Sequence, residues 1–144
     1  MASSRVHRRS GGPIPFAHQV VAAAVVAGVL SGAPSTVHAL VTRRPVLGAA
    51  RAAGEVLGRS GLARGLVAHA ALSLAWAGVL AAVLPRRRRV LGGALGGLAI
   101  AGLDLTIAER WFPDIAALPR LPQVLDHVAF GALVGVVLEA ADQG

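Results

Sequence analysis

Four long apolar runs constrain this chain more than any other feature of its sequence. They cover residues 16–41, 62–84, 90–108 and 123–141. A helix crosses the hydrocarbon of a bilayer in about 20 residues, at ~1.5 Å each. All four runs are long enough. A chain of 144 residues with 55% hydrophobic side chains, gathered into such runs, faces lipid rather than building a soluble core. The expected fold is an all-α integral membrane four-helix bundle.

The punctuation between the runs fits that fold. Residues 1–13 are polar, carry Arg5, Arg8 and Arg9, and read as a disordered tail ahead of a single membrane domain, 14–144. Pro34 predicts a kink in the first span. A rival reading takes Arg5 to Arg9, the apolar stretch and Val37-His38-Ala39 as a secretory signal with its cleavage site, so that residues 1–39 are removed. Residues 42–61 predict a short amphipathic helix lying on the membrane surface, begun near Pro45 and ended by Gly61. Arg51, Glu55 and Arg59 mark its polar side, and Leu47, Ala50, Gly54 and Leu57 its apolar side. Pro85 and Arg86 to Arg89 end the second span sharply and force an antiparallel hairpin with the third. Pro113, Pro119 and Pro122 rule out one continuous helix over 109–122, where Trp111 and Phe112 suit the headgroup level.

Charge narrows the function classes. The net charge is +7, and every basic residue is arginine. These arginines cluster beside the apolar runs, where anionic headgroups meet them, and show no basic face with interleaved aromatics of the kind nucleic-acid binding uses. The partners expected are the lipid bilayer and not nucleic acid. With no cysteine, disulfides and thiolate chemistry are excluded. Orientation is nearly undetermined. Arg5, Arg8, Arg9 and Arg86 to Arg89 on one side are matched in number by Arg43, Arg44, Arg51, Arg59, Arg64, Arg110 and Arg120 on the other. The two densest clusters share a side, which favours both termini in the cytoplasm.

Lipid gives helices no hydrophobic reason to associate, so small residues must let them pack closely. Gly28/Gly32, Gly92/Gly96, Gly93/Gly97 and Gly131/Gly135 supply four-residue spacings in spans one, three and four. They predict a tight bundle, or a homo-oligomer formed through these faces.

Ionisable side chains inside a span cost roughly 2.5–3.5 kcal/mol near its centre and usually face the bundle interior. Here they are His38, His69, Asp104, Asp126 and His127. In an up-down-up-down bundle all of them fall in one leaflet, with Ser35, Thr36 and Thr106 at similar depth. Gly97, Ala101 and Asp104 share a face, as do His127, Gly131 and Gly135, so Asp104 and His127 project from helix faces expected to touch. Asp126 lies about 100° around its helix from His127.

Three readings follow. The first is a set of satisfied polar pairs in a structural or interaction subunit with no ligand. The second is a pocket binding or conducting a proton, ion or small solute, carried by His69, Asp104 and His127 with His38 and Asp126 secondary. The third is a membrane-embedded metal-dependent enzyme, with Zn or Fe held by His38, His69, His127 and Asp104. The leading expectation is the pocket, without a cofactor. Ser73 lies four residues from His69 and could mimic a nucleophile–base pair, although serine in a span more often bonds its own backbone. The segments Gly32-Ala33-Pro34-Ser35-Thr36-Val37-His38-Ala39-Leu40 and Pro122-Gln123-Val124-Leu125-Asp126-His127-Val128-Ala129-Phe130-Gly131 resemble those of uncharacterised small four-span membrane proteins of actinobacterial type. That resemblance implies the topology and no chemistry.

Overall fold

The computed structural model describes residues 15–143, so the expected tail over 1–13 lies outside the described residues. The described chain is all-helical. Its elements are α1 (Phe16–Leu30), α2 (Ala33–Val41), α3 (Gly48–Ala52), a 3₁₀ turn (Ala53–Leu57), α4 (Leu62–Val83), α5 (Arg89–Trp111), α6 (Pro113–Ala116) and α7 (Arg120–Gln143). Taken together, α1 and α2 form one of four helical stretches long and apolar enough to cross a membrane; α4, α5 and α7 are the others. The chain is a multi-pass membrane protein.

Each boundary has a local cause. Pro34 has no N–H, and its ring crowds the carbonyl four residues back, at Leu30, where α1 ends. Pro34 then sits in the first turn of α2, where its missing N–H costs nothing. The span therefore bends at Ser31–Gly32, where a kink is expected, while α1 and α2 remain one membrane-crossing stretch. α5 and α7 run about a turn beyond the apolar runs at their ends, because Glu109 to Trp111 and Arg120 to Pro122 are compatible with helix at the headgroup level. The predicted surface helix over 42–61 is not continuous. It resolves into α3 and the 3₁₀ turn, closed at Gly58 (φ 98°) instead of Gly61. Its buried positions are Ala52 and Gly54, while Leu47 and Leu57 are exposed. The cause is a close crossing: a methyl group on Gly65 would overlap the Ala50 carbonyl, and one on Gly54 would lie 2.8 Å from the Gly61 backbone. Backbone-to-backbone contact with α4 sets this segment, not a hydrophobic stripe.

α5 and α7 form the tightest pair. A methyl on Gly93 would overlap the Gly131 carbonyl, and one on Gly131 the Gly93 carbonyl. Gly97 meets the His127 carbonyl in the same way, and Gly135 that of Arg89. Of the small-residue pairs read from the sequence, Gly93/Gly97 and Gly131/Gly135 are thus occupied by each other within one chain. α1 packs against α4 and α7 through Ala23, Ala24 and Ala27. The hairpin partners α4 and α5 stand farther apart, with Leu80 of α4 and Leu84 just beyond it reaching across to Gly96 and Gly92.

The polar side chains are not confined to one leaflet. Arg89, only 7% exposed, sits at the opposite end of the bundle. Its Nη1 donates to the Leu138 carbonyl (2.9 Å) and its Nη2 pairs with Asp142 (3.0 Å). The last of four successive arginines turns inward against the final turns of α7.

Candidate functional site

Antiparallel packing brings the end of α1, the start of α4, the end of α5 and the start of α7 to one level. There the two faces that carry Asp104 and His127 meet. His127 Nε2 lies 3.3 Å from Asp104 Oδ2. The other ring nitrogen, Nδ1, donates to the Gln123 carbonyl at 2.7 Å, one turn back on the same helix. Trp76 of α4 donates its indole N–H to the same Asp104 oxygen at 3.2 Å. Both acidic and imidazole side chains are about a quarter exposed (26% and 25%).

This geometry restricts where protons stand. A carbonyl only accepts, so Nδ1 of His127 carries a hydrogen. Nε2 faces a carboxyl oxygen, and that contact also needs a proton, on one side or the other. The pair therefore holds a single shared proton, either as imidazolium and carboxylate or as neutral imidazole and carboxylic acid. Trp76 can only donate, so it fixes the carboxyl oxygen without competing for that proton.

The remaining candidates go elsewhere. His69 Nε2 donates to the Gly28 carbonyl at 2.8 Å. That carbonyl belongs to the last turn of α1, where intrahelical donors run out. Ser73 is buried beneath Gly28, and His69 is committed to the carbonyl, so no nucleophile–base pair is assembled. Asp126 turns to α2: its carboxylate accepts the backbone N–H of Ser35 at 3.0 Å and the Ser35 hydroxyl. Ser35 stands in the first turn of α2, where N–H groups are orphaned and negative charge is favoured. Asp126 thus caps the second half of the bent span from a different helix, while remaining within electrostatic reach of His127 and His69. His38 is half-buried beside a groove, and its ring makes no hydrogen bond among the described residues. Thr36 and Thr106 bond back to the carbonyls of Gly32 and Gly102, at 2.8 and 2.6 Å.

Of the five expected residues, the structure joins Asp104 with His127 and places His69, Asp126 and His38 in separate settings. Among the described residues, no three histidine or acidic side chains stand together to hold a metal ion. The expected set of His38, His69, His127 and Asp104 is dispersed because two of its members are engaged by backbone or groove. Trp76 is the contributor the sequence reading missed. It lies seven residues after His69, on the stripe of Gly65, His69 and Ser73, so helical periodicity could have found it.

Comparison with known proteins adds nothing to the geometry: no family model matches the chain, no curated protein is similar to it, and no solved structure matches it.

Proposed function

We propose that the chain is a small membrane protein of the plasma or inner membrane, with both termini in the cytoplasm, whose Asp104–His127 pair binds and passes a proton. The reading rests on one observation. His127 is bracketed by two oxygen acceptors, so one proton is shared with Asp104. Ionisable groups kept inside spans mark proton and ion pathways. A histidine can take and release a proton near neutral pH. Both side chains are about a quarter exposed, so the pair is not sealed within the chain, as exchange requires. In the same layer, His69 and Asp126 hold α1 and α2 in place around it.

A second reading has its own support. Each polar contact also ties two helices together: Trp76 and Asp104 join α4 to α5, His127 joins α5 to α7, and Ser35 and Asp126 join α2 to α7. In that case the protein is a structural or interaction subunit, with no ligand.

The two readings part in vesicles. Purified protein is reconstituted with a pH-sensitive dye inside, and a potassium gradient with valinomycin sets the driving voltage. Proton passage predicts acidification above that of empty vesicles, and at least about a hundredfold loss in Asp104→Asn and His127→Gln, the lower end of what a positioned proton-transfer group contributes. Rates equal to empty vesicles for the wild-type chain overturn the proton reading. A thermal midpoint lowered in both variants, without any flux to lose, leaves the structural one.

A further inference from the structure

A second polar feature lies outside the Asp104–His127 pair. Where α2 leaves the membrane, the chain reverses through Arg43, whose φ of 54° is left-handed. The Arg44 N–H returns to the Ala39 carbonyl at 2.8 Å. Glycine is the usual residue at such a helix end, and a non-glycine residue there costs about 1–2 kcal/mol. The reversal lays Pro45 to Ala49 back along α2 and opposite the start of α7. Between them is a cavity of about 150 Å³ whose polar lining is Ser35, His38, Arg44 and Gln123.

Arg44 is the one cationic residue of the lining and His38 adds an imidazole, while the Gln123 amide already donates to the Leu118 and Pro119 carbonyls; no carboxylate residue lines the cavity. The nearby Asp126 carboxylate is already taken by Ser35. The volume is well below the roughly 300–1,000 Å³ of pockets for drug-sized ligands, so it suits one small group. Guanidinium groups match phosphate geometry with paired hydrogen bonds. The position, at the end of a span and beside two adjacent arginines, is the depth at which lipid phosphates lie.

We propose that this groove binds the phosphate of an anionic phospholipid headgroup through Arg44 and His38. It is distinct from the proton-holding pair, although Gln123 touches both: its side chain lines the groove and its carbonyl accepts from His127.

The test uses the full chain in detergent. Native mass spectrometry counts bound phosphatidylglycerol and, in a parallel sample, phosphatidylcholine. The expected result is retention of phosphatidylglycerol over phosphatidylcholine. Arg44→Gln and His38→Gln then lose at least about fivefold, the size of one basic residue's attraction at an anionic surface. Arg51→Gln and Arg59→Gln, which line no part of the groove, retain the lipid. Arg44 is exposed, so its variant keeps the fold, checked by circular dichroism. Release of the lipid by millimolar inorganic phosphate assigns the site to the phosphate group itself. No release assigns it to the lipid held by headgroup and chains together. If Arg44→Gln and His38→Gln bind as the wild type does, or all four variants weaken alike, the groove is no site and only general surface charge is at work.

Discussion

Gly131→Ala is the sharpest perturbation of this bundle. The added methyl carbon would lie 2.8 Å from the Gly93 carbonyl carbon and 2.8 Å from the Gly97 nitrogen, and it would overlap the Gly93 oxygen. Relaxed carbon contacts are about 3.5–4.0 Å, so α5 and α7 must part by roughly 1 Å. Neither neighbour is a flexible side chain that can swing away; both are helical backbone. Overpacking of this kind costs about 1–3 kcal/mol, and the better helix propensity of alanine returns at most ~1 kcal/mol. A net loss of about 1–2 kcal/mol is expected. The same movement stretches the 3.3 Å contact of His127 with Asp104 beyond hydrogen-bond range, because His127 lies one turn from Gly131 on the same face. Gly102→Ala is the control: its added methyl meets nothing within 4 Å, so the variant is as stable as wild type or slightly more so. Unfolding by titrated denaturing detergent, followed by circular dichroism, reads both variants. An unchanged midpoint for Gly131→Ala, or an equal loss for Gly102→Ala, would falsify the claim that backbone contact between α5 and α7 holds the bundle.

Other substitutions probe the remaining contacts. Trp76→Phe removes the only indole donor to Asp104 and keeps the ring, so a stability loss of about 1–2 kcal/mol is expected by the same titration. Asp126→Ala leaves the Ser35 N–H without its acceptor; hydrogen exchange at that amide should speed up at least tenfold, while exchange in α5 stays unchanged. Asp142→Ala strips the counter-charge from buried Arg89, and a loss of about 1–3 kcal/mol is expected, below that of a fully enclosed pair because Asp142 is 31% exposed. Glu55→Ala removes the carboxylate that accepts the N–H groups of Asp114 and Ile115 at 2.9 and 3.2 Å, so limited proteolysis should cut near α6 sooner than in the wild type.

The spans were legible because apolar length is a one-dimensional property. Their pairing was only half so. Gly93/Gly97 and Gly131/Gly135 announced faces that pack closely, but not that they pack on each other. Sequence adjacency would have favoured α4 with α5 instead. Bulk decides the matter: Leu80, Leu84 and Trp76 hold α4 away from α5, whereas α7 presents glycine. Within the site, Asp104 and His127 could be matched from their shared depth and small-residue faces. The partner of His69 could not, since it is a backbone carbonyl, and carbonyls carry no signature in a sequence. Asp126 was grouped with the titratable residues when its task is to cap α2. The kink at Pro34 was legible, but not that the N–H groups it frees would take their acceptor from another helix.

The interruption at Ser31–Gly32 also dictates an order of biogenesis. The first of these four spans carries backbone groups at membrane depth whose side-chain partners are translated later. His69 comes with α4, 41 residues after Gly28, and Asp126 with α7, 91 residues after Ser35. Until α7 inserts, the Ser35 N–H has to be satisfied by water or by the insertion machinery. The first of the four spans is therefore completed by the fourth.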